Sequence, residues 1–222
     1  MKKEGGSELR KALKIILVIL GVIFLGISVL VISFNLSMKP DPDREEKIRQ
    51  EADRYLQANF NDDFEIYDTL YDNMGNFEFE YAVKVRGSRS NTEFLVYPDA
   101  ETEQMVDTYV SDRWSTELEE EMRPYVHQVF GETAVVYVFI DDEIGAALNV
   151  DPLNVGSSKD YNLEPTVRLD LPRERTADDE EHFTEFISYL KNEGILQAGQ
   201  LIVSYVAETG EILEDEEWSR EI

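Results

Sequence analysis

The stretch FEFEYAVKVR, residues 77–86, alternates apolar and other side chains along its whole length. Phe77, Phe79, Tyr81, Val83 and Val85 share one side; Glu78, Glu80, Ala82, Lys84 and Arg86 share the other. A period of two belongs to a β-strand, and this composition predicts a sheet with one face on a core and one face wet. Turn residues bracket it: Asp72-Asn73-Met74-Gly75-Asn76 before, and 87–92 after. Shorter strand-like runs lie beyond each turn, at 64–67 and 93–97, so residues 64–97 read as an antiparallel meander.

Further out the period changes to that of helices. Ile48, Ala52, Tyr55 and Leu56 recur at helical spacing within 44–59. Residues 99–129 carry Val106, Tyr109, Val110 and Trp114, continued by Leu118, Met122, Tyr125, Val126 and Val129, which predicts one long helix. Pro124 is expected to kink or divide it and Gly131 to stop it. TAVVYVFI at 133–140 is apolar throughout and reads as a central strand covered on both faces. A long unpatterned stretch at 141–165 precedes a strand with Val167, Leu169 and Leu171. Thr176-x-x-Asp179 resembles a capping box ahead of Phe183, Phe186, Ile187 and Leu190, and the last strand spans 200–207 before an acidic tail that holds Trp218. The fold class is therefore α+β, with a mainly antiparallel sheet and about three helices. Gly131-Glu132 marks a point at which the body could divide into two subdomains.

Upstream, IILVILGVIFLGISVLVISF runs from Ile15 to Phe34 with neither charge nor proline. Twenty residues at about 1.5 Å each match the about 30 Å of a hydrocarbon core, so a single transmembrane helix is expected with its ends at Ile15 and Phe34. Lys2, Lys3, Arg10, Lys11 and Lys14 outnumber Glu4 and Glu8 by three, leaving −29 of the net −26 to everything after Ser37. The positive-inside rule then places the flank 1–14 in the cytoplasm and, beyond a polar stalk at 35–43, an acidic ectodomain at 44–222 outside a cell membrane. A cleaved signal peptide competes with this reading, but the apolar run is longer than a signal's core and no Ala-x-Ala follows it.

Composition excludes several chemistries. Without cysteine there is no disulfide, thiolate ligand or cysteine nucleophile. A body at −29 is poorly suited to nucleic acid, and a cationic protein or peptide is the partner its charge favours. His127 and His182 are the only histidines; each sits in a helical context that reads as packing or surface pairing. No H-E-x-x-H or EF-hand spacing occurs, so no metal site and no cofactor is expected. The candidate partner contacts are acids: Glu117, Glu119, Glu120 and Glu121 on the long helix, Asp141, Asp142 and Glu143 at the start of the unpatterned stretch, and the tail 211–217 with Trp218.

The segment FLVYPDAETEQMVDTYVSDRWSTELEEEM, residues 94–122, is similar to segments of small membrane-anchored exported proteins of Gram-positive bacteria, in which a strand leads into an acidic helix carrying D-x-Y and a Trp. Many of these are uncharacterised and some resemble immunity proteins. The resemblance implies no catalytic residue. It points to a non-enzymatic, membrane-tethered binding module, in its sharpest form an immunity protein against a cationic secreted toxin. An accessory or sensory subunit of a membrane or secretion complex, and a carboxylate-dependent envelope hydrolase, are the alternatives.

Overall fold

The computed structural model describes residues 5–61, 63–88, 92–207, 209, 211–213 and 218–222, with the side chains of 5–15, 18 and 35–37 outside the description. Residues 214–217 of the acidic tail singled out from the sequence lie outside these residues. The chain divides into two compact units, Met1–Lys47 and Ile48–Ile222.

The first unit is dominated by helix α1 (Gly5–Ser37). Its apolar side chains that are described, from Ile16 to Phe34, are all exposed. Among the described residues no helix is long and apolar enough to cross a membrane. The transmembrane helix expected between Ile15 and Phe34 is corrected on that ground.

The second unit begins inside helix α2 (Pro42–Asn59) and is α+β, but with two sheets where the sequence pattern suggested one. Strands β1 (Phe64–Tyr71), β2 (Tyr81–Gly87), β3 (Glu93–Pro98) and β4 (Met105–Asp107) form an antiparallel sheet in chain order. Tyr67 is an extra residue in β1, where the register with β2 slips between Ile66 and Asp68. The long helix α3 (Tyr109–Phe130) leads into a second sheet of β5 (Val135–Phe139), β6 (Thr166–Leu171), β7 (Gln200–Tyr205) and β8 (Trp218–Glu221). This sheet is mixed, because β6 and β7 run parallel. The crossover between them is helix α5 (Asp179–Asn192), and a parallel neighbour needs such a connection. A one-turn helix, α4 (Ile144–Ala147), brings the described helices to five, not the three plus a span first expected.

Two apolar cores fill this unit, and α3 serves both. Val110 and Trp114 join Ile48, Ala52 and Leu56 of α2 and Tyr81, Val83, Val85, Phe94 and Val96 of the first sheet. One turn further on, Leu118, Met122 and Val126 join β5, β6, β7 and α5 around Val167, Leu169, Phe183, Phe186 and Leu201. The apolar stripe predicted from sequence is thus real, and Trp114 within it is fully buried. Pro124 does not divide the helix: its ring is exposed, while Met122 and Val126 on either side are held in one core.

Three local expectations are revised. The strand at 77–86 begins only at Tyr81, and Phe77 is exposed. The segment before α3 is not all helical, since Met105–Asp107 adds a fourth strand. The apolar run at 133–140 is an edge strand. Val136 and Val138 enter the core, whereas Val135, Tyr137 and Phe139 are exposed. On its outer side the N–H of Val138 donates to Glu119 Oε1 of α3 at 2.9 Å, so a helix carboxylate stands where another strand would pair.

A candidate acidic binding cavity

The junction between β4 and α3 concentrates carboxylates in a partly buried place. Asp107 ends β4, and one of its oxygens accepts the Tyr109 N–H at 2.9 Å while the other accepts the Tyr55 hydroxyl at 2.5 Å. Thr108 follows and joins strand to helix: its Oγ1 accepts the Leu95 N–H and donates to Asp112 Oδ2. Asp112 lies in the first turn of α3, where the helix dipole favours a negative charge. Opposite them α4 packs against α3. The contact is close because residue 145 is glycine: a Cβ there would stand 2.9 Å from Cβ and Cγ2 of Val110.

Between α2, β4, α3 and α4 lies a cavity of about 360 Å³. Its apolar lining includes Val106, Val110 and Val150, and its polar lining is Tyr55, Asp107, Asp142 and Asn149. Burial raises the pKa of Asp107 despite the two hydrogen bonds it accepts. Burial also pushes Asp112 up to about 6; the Thr108 bond opposes this, and the charges of Asp142, Glu119 and Asp107 add to it. Asp142 is exposed at the surface, yet partial desolvation and its neighbours Asp141 and Glu78 raise it too. The Tyr55 phenol is pushed well above its usual range by burial and by Asp107. Among the described residues, Asp107, Asp112 and Asp142 are in no ion pair. No three acidic or imidazole side chains among the described residues are grouped to hold a metal ion.

The acids singled out from the sequence have divided fates. Glu117 accepts hydrogen bonds from the Ser157 hydroxyl and the Ser158 N–H, and Glu121 pairs with Lys159 at 2.8 Å. With Glu119 on Val138, three of the four helix glutamates are spent holding the chain around α3; of the four, Glu120 alone is exposed. Asp141, Asp142 and Glu143 are exposed at the approach to α4, where Asp141 accepts the Glu143 N–H at 2.9 Å. The rest of 141–165 is not a free loop. Val155 and Leu163 are buried, and Trp114 donates its indole N–H to the Gly156 carbonyl at 2.9 Å. Trp218 sits in β8, half-buried, with its ring 4.8 Å from that of Phe183. Neither histidine lines the cavity: His127 faces Glu132 at 3.5 Å, and His182 lies edge-on to Phe130.

Asp107 and Asp112 were not among the residues singled out. Asp107 is the acid of the D-x-Y in the segment 94–122, but that pattern gave it no role, and in a chain with 47 acids nothing in the spacing marks Asp112; what sets both apart is the sheet and helix that close over them.

Comparison with known proteins adds little. No family model matches the chain, and no curated protein does. Among solved structures, the crystal structure of a DUF5037 family protein from Ruminococcus gnavus ATCC 29149 is similar over 72% of this chain and 75% of that one, at 14% identity and a TM-score of 0.38. A likeness that distant carries no functional argument.

Proposed function

We propose that residues 48–222 form a non-enzymatic binding module that takes up a basic side chain of a cationic protein or peptide in the cavity between Asp107 and Asp142. The observation that carries this reading is the pairing of that cavity with carboxylates kept partly desolvated and without a cation. A carboxylate in such a place costs stability, and an arriving ammonium or guanidinium removes the cost. The apolar lining suits the methylene stem of a Lys or Arg, whose charged head would reach the acids. The surplus negative charge of the body would speed the encounter. Neutralisation of a secreted cationic toxin is the sharpest form of this proposal, drawn from the resemblance of residues 94–122.

The sign of the pH dependence follows. A bound cation favours ionised carboxylates, and Asp107 and Asp142, which line the cavity, are both raised above the ordinary carboxylate range, so affinity should rise as pH increases from the acid range towards neutrality. The test is titration of the full chain with octalysine. Binding should weaken with added salt, strengthen from pH 4.5 to 7, and drop about threefold to tenfold in Asp142→Asn. Octalysine binding that ignores both Asp142→Asn and Asp107→Asn would refute the assignment of the cavity. Hydrolysis by a carboxylate pair would draw on Asp112 as its acid, but Asp112 does not line the cavity, which favours binding over turnover.

A further inference from the structure

The loop between β1 and β2 is built around one buried carboxylate. Asp72 Oδ1 accepts the N–H groups of Met74 and Gly75 at 3.0 and 3.1 Å, and Oδ2 accepts that of Phe77 at 2.7 Å. The Asp72 N–H in turn donates to the Glu80 carbonyl, closing the loop at its base. Gly75 adopts φ 73°, a conformation open to glycine. These bonds hold two large apolar side chains out from the surface: Met74 is 74% exposed and Phe77 51% exposed.

Single exposed apolar residues are ordinary. These two differ because the loop is tied down and because of what lies under and beside them. The Phe77 ring stacks on Phe79 at 5.1 Å and 4°, and Phe79 is buried against Tyr97 at 4.5 Å, closing a small cluster with Ala82. The Tyr97 phenol is pushed up to about 12 by burial and then by Asp142, Glu78, Glu143 and Asp99. Glu78, Asp142 and Glu143 are exposed and in no ion pair among the described residues. One aromatic column therefore stands between an apolar tip and the acids Glu78, Asp142 and Glu143, of which Asp142 lines the cavity.

We infer that Met74 and Phe77, together with Glu78, Asp142 and Glu143, form one docking surface for a basic peptide segment that also carries an apolar anchor residue. The inference rests on the binding reading above and specifies its partner: charge alone is not enough, and an aromatic or aliphatic side chain must accompany the Lys or Arg. The charge selects this occupant, because a second copy of a body at −29 would meet like charge here. Rigidity favours it too, since a tip ordered before binding loses little freedom when its partner arrives. Met74 supplies an adaptable contact and Phe77 a flat one.

The experiment compares two probes on the full chain: octalysine, and a peptide of equal charge with phenylalanines interspersed. Fluorescence anisotropy should show the second binding about tenfold more tightly, the effect of one well-placed anchor. The double variant Met74→Ser/Phe77→Ser should erase that difference and leave octalysine affinity unchanged; its thermal midpoint should fall by at most a few degrees, the loss of the Phe77–Phe79 stack. A difference that persists in the double variant overturns the inference. So does equal binding of the two peptides to the parent, or a sedimentation shift showing that the tip joins two copies of the chain. Failure of either peptide to bind the parent would instead sink the underlying binding reading.

Discussion

Among the sites in the second unit that bury carboxylates, two do so in opposite ways. Asp179, at the start of α5, is 1% exposed and surrounded by donors. Arg173 reaches both of its oxygens at 2.6 and 2.9 Å, Thr176 donates from N–H and hydroxyl at 2.8 Å each, and Tyr205 donates at 2.9 Å. Burial opposes its charge, but the Arg173 and Thr176 bonds win and hold it well below the usual carboxylate range. Asp107 and Asp112 have one or two neutral donors and no cation, and they are raised. A carboxylate with its cation in place holds the fold together. One without it, beside an open cavity, is where an external cation has something to gain.

The comparison can be broken most directly at Arg173. Arg173→Ala would leave Asp179 buried without its guanidinium, and urea unfolding should show a loss of about 3–5 kcal/mol. A loss under about 1 kcal/mol would mean that Thr176 and Tyr205 suffice and that the ion pair is incidental. Next comes the shape of the cavity. Gly145→Ala places a methyl against Val110, so α4 must shift, at a cost of about 1–3 kcal/mol. Octalysine affinity should fall with it, because Gly145 and Asn149 line the cavity.

Asp112→Asn tests the other half of the contrast and should act in the opposite direction. The folded pKa of Asp112 lies above its value of 3.8 in the open chain, so the folded state holds the extra proton between the two, and stability falls as pH rises through about 4–6. Removing the charge should stabilise the protein by on the order of 1–2 kcal/mol at pH 7 and flatten that slope. Asp179 has the reverse sign: its contribution is present above about pH 4 and is lost as pH falls. The parent should therefore be most stable near pH 4–5. A maximum at pH 7 or above would contradict the assignment of Asp112. The smallest expected effect is that of Asp142→Asn on stability, within about 0.5 kcal/mol as for an exposed site, even though it weakens octalysine binding.

How far the sequence revealed this molecule depends on how local each cause is. Trp114, Leu118 and Met122 were placed correctly because helical periodicity and burial coincide along one face. The strand at Val83 and Val85 was legible for the same reason, with period two. Tyr137 and Phe139 misled because an apolar run looks the same whether a strand is central or at an edge, and only its pairing decides. Met105–Asp107 was lost because three residues cannot display a period. The candidate cavity was half legible: Asp142 stood out in an acidic run and Asp107 in a D-x-Y with no role attached, whereas what makes Asp107 and Asp112 matter is contact with Tyr55 and Thr108, which spacing does not show.

The passage of α3 through both cores bears on how the second unit comes apart. Its first turns belong to one core through Trp114 and its later turns to the other through Met122 and Val126. Neither sheet can melt and leave the helix intact, since a helix of this length in water is only marginally stable once its apolar face is bare. The two sheets are therefore coupled mechanically, like two leaves on one hinge pin. Calorimetry should record a single transition for the unit, and the amides near Leu118, midway along the pin, should exchange only when everything opens.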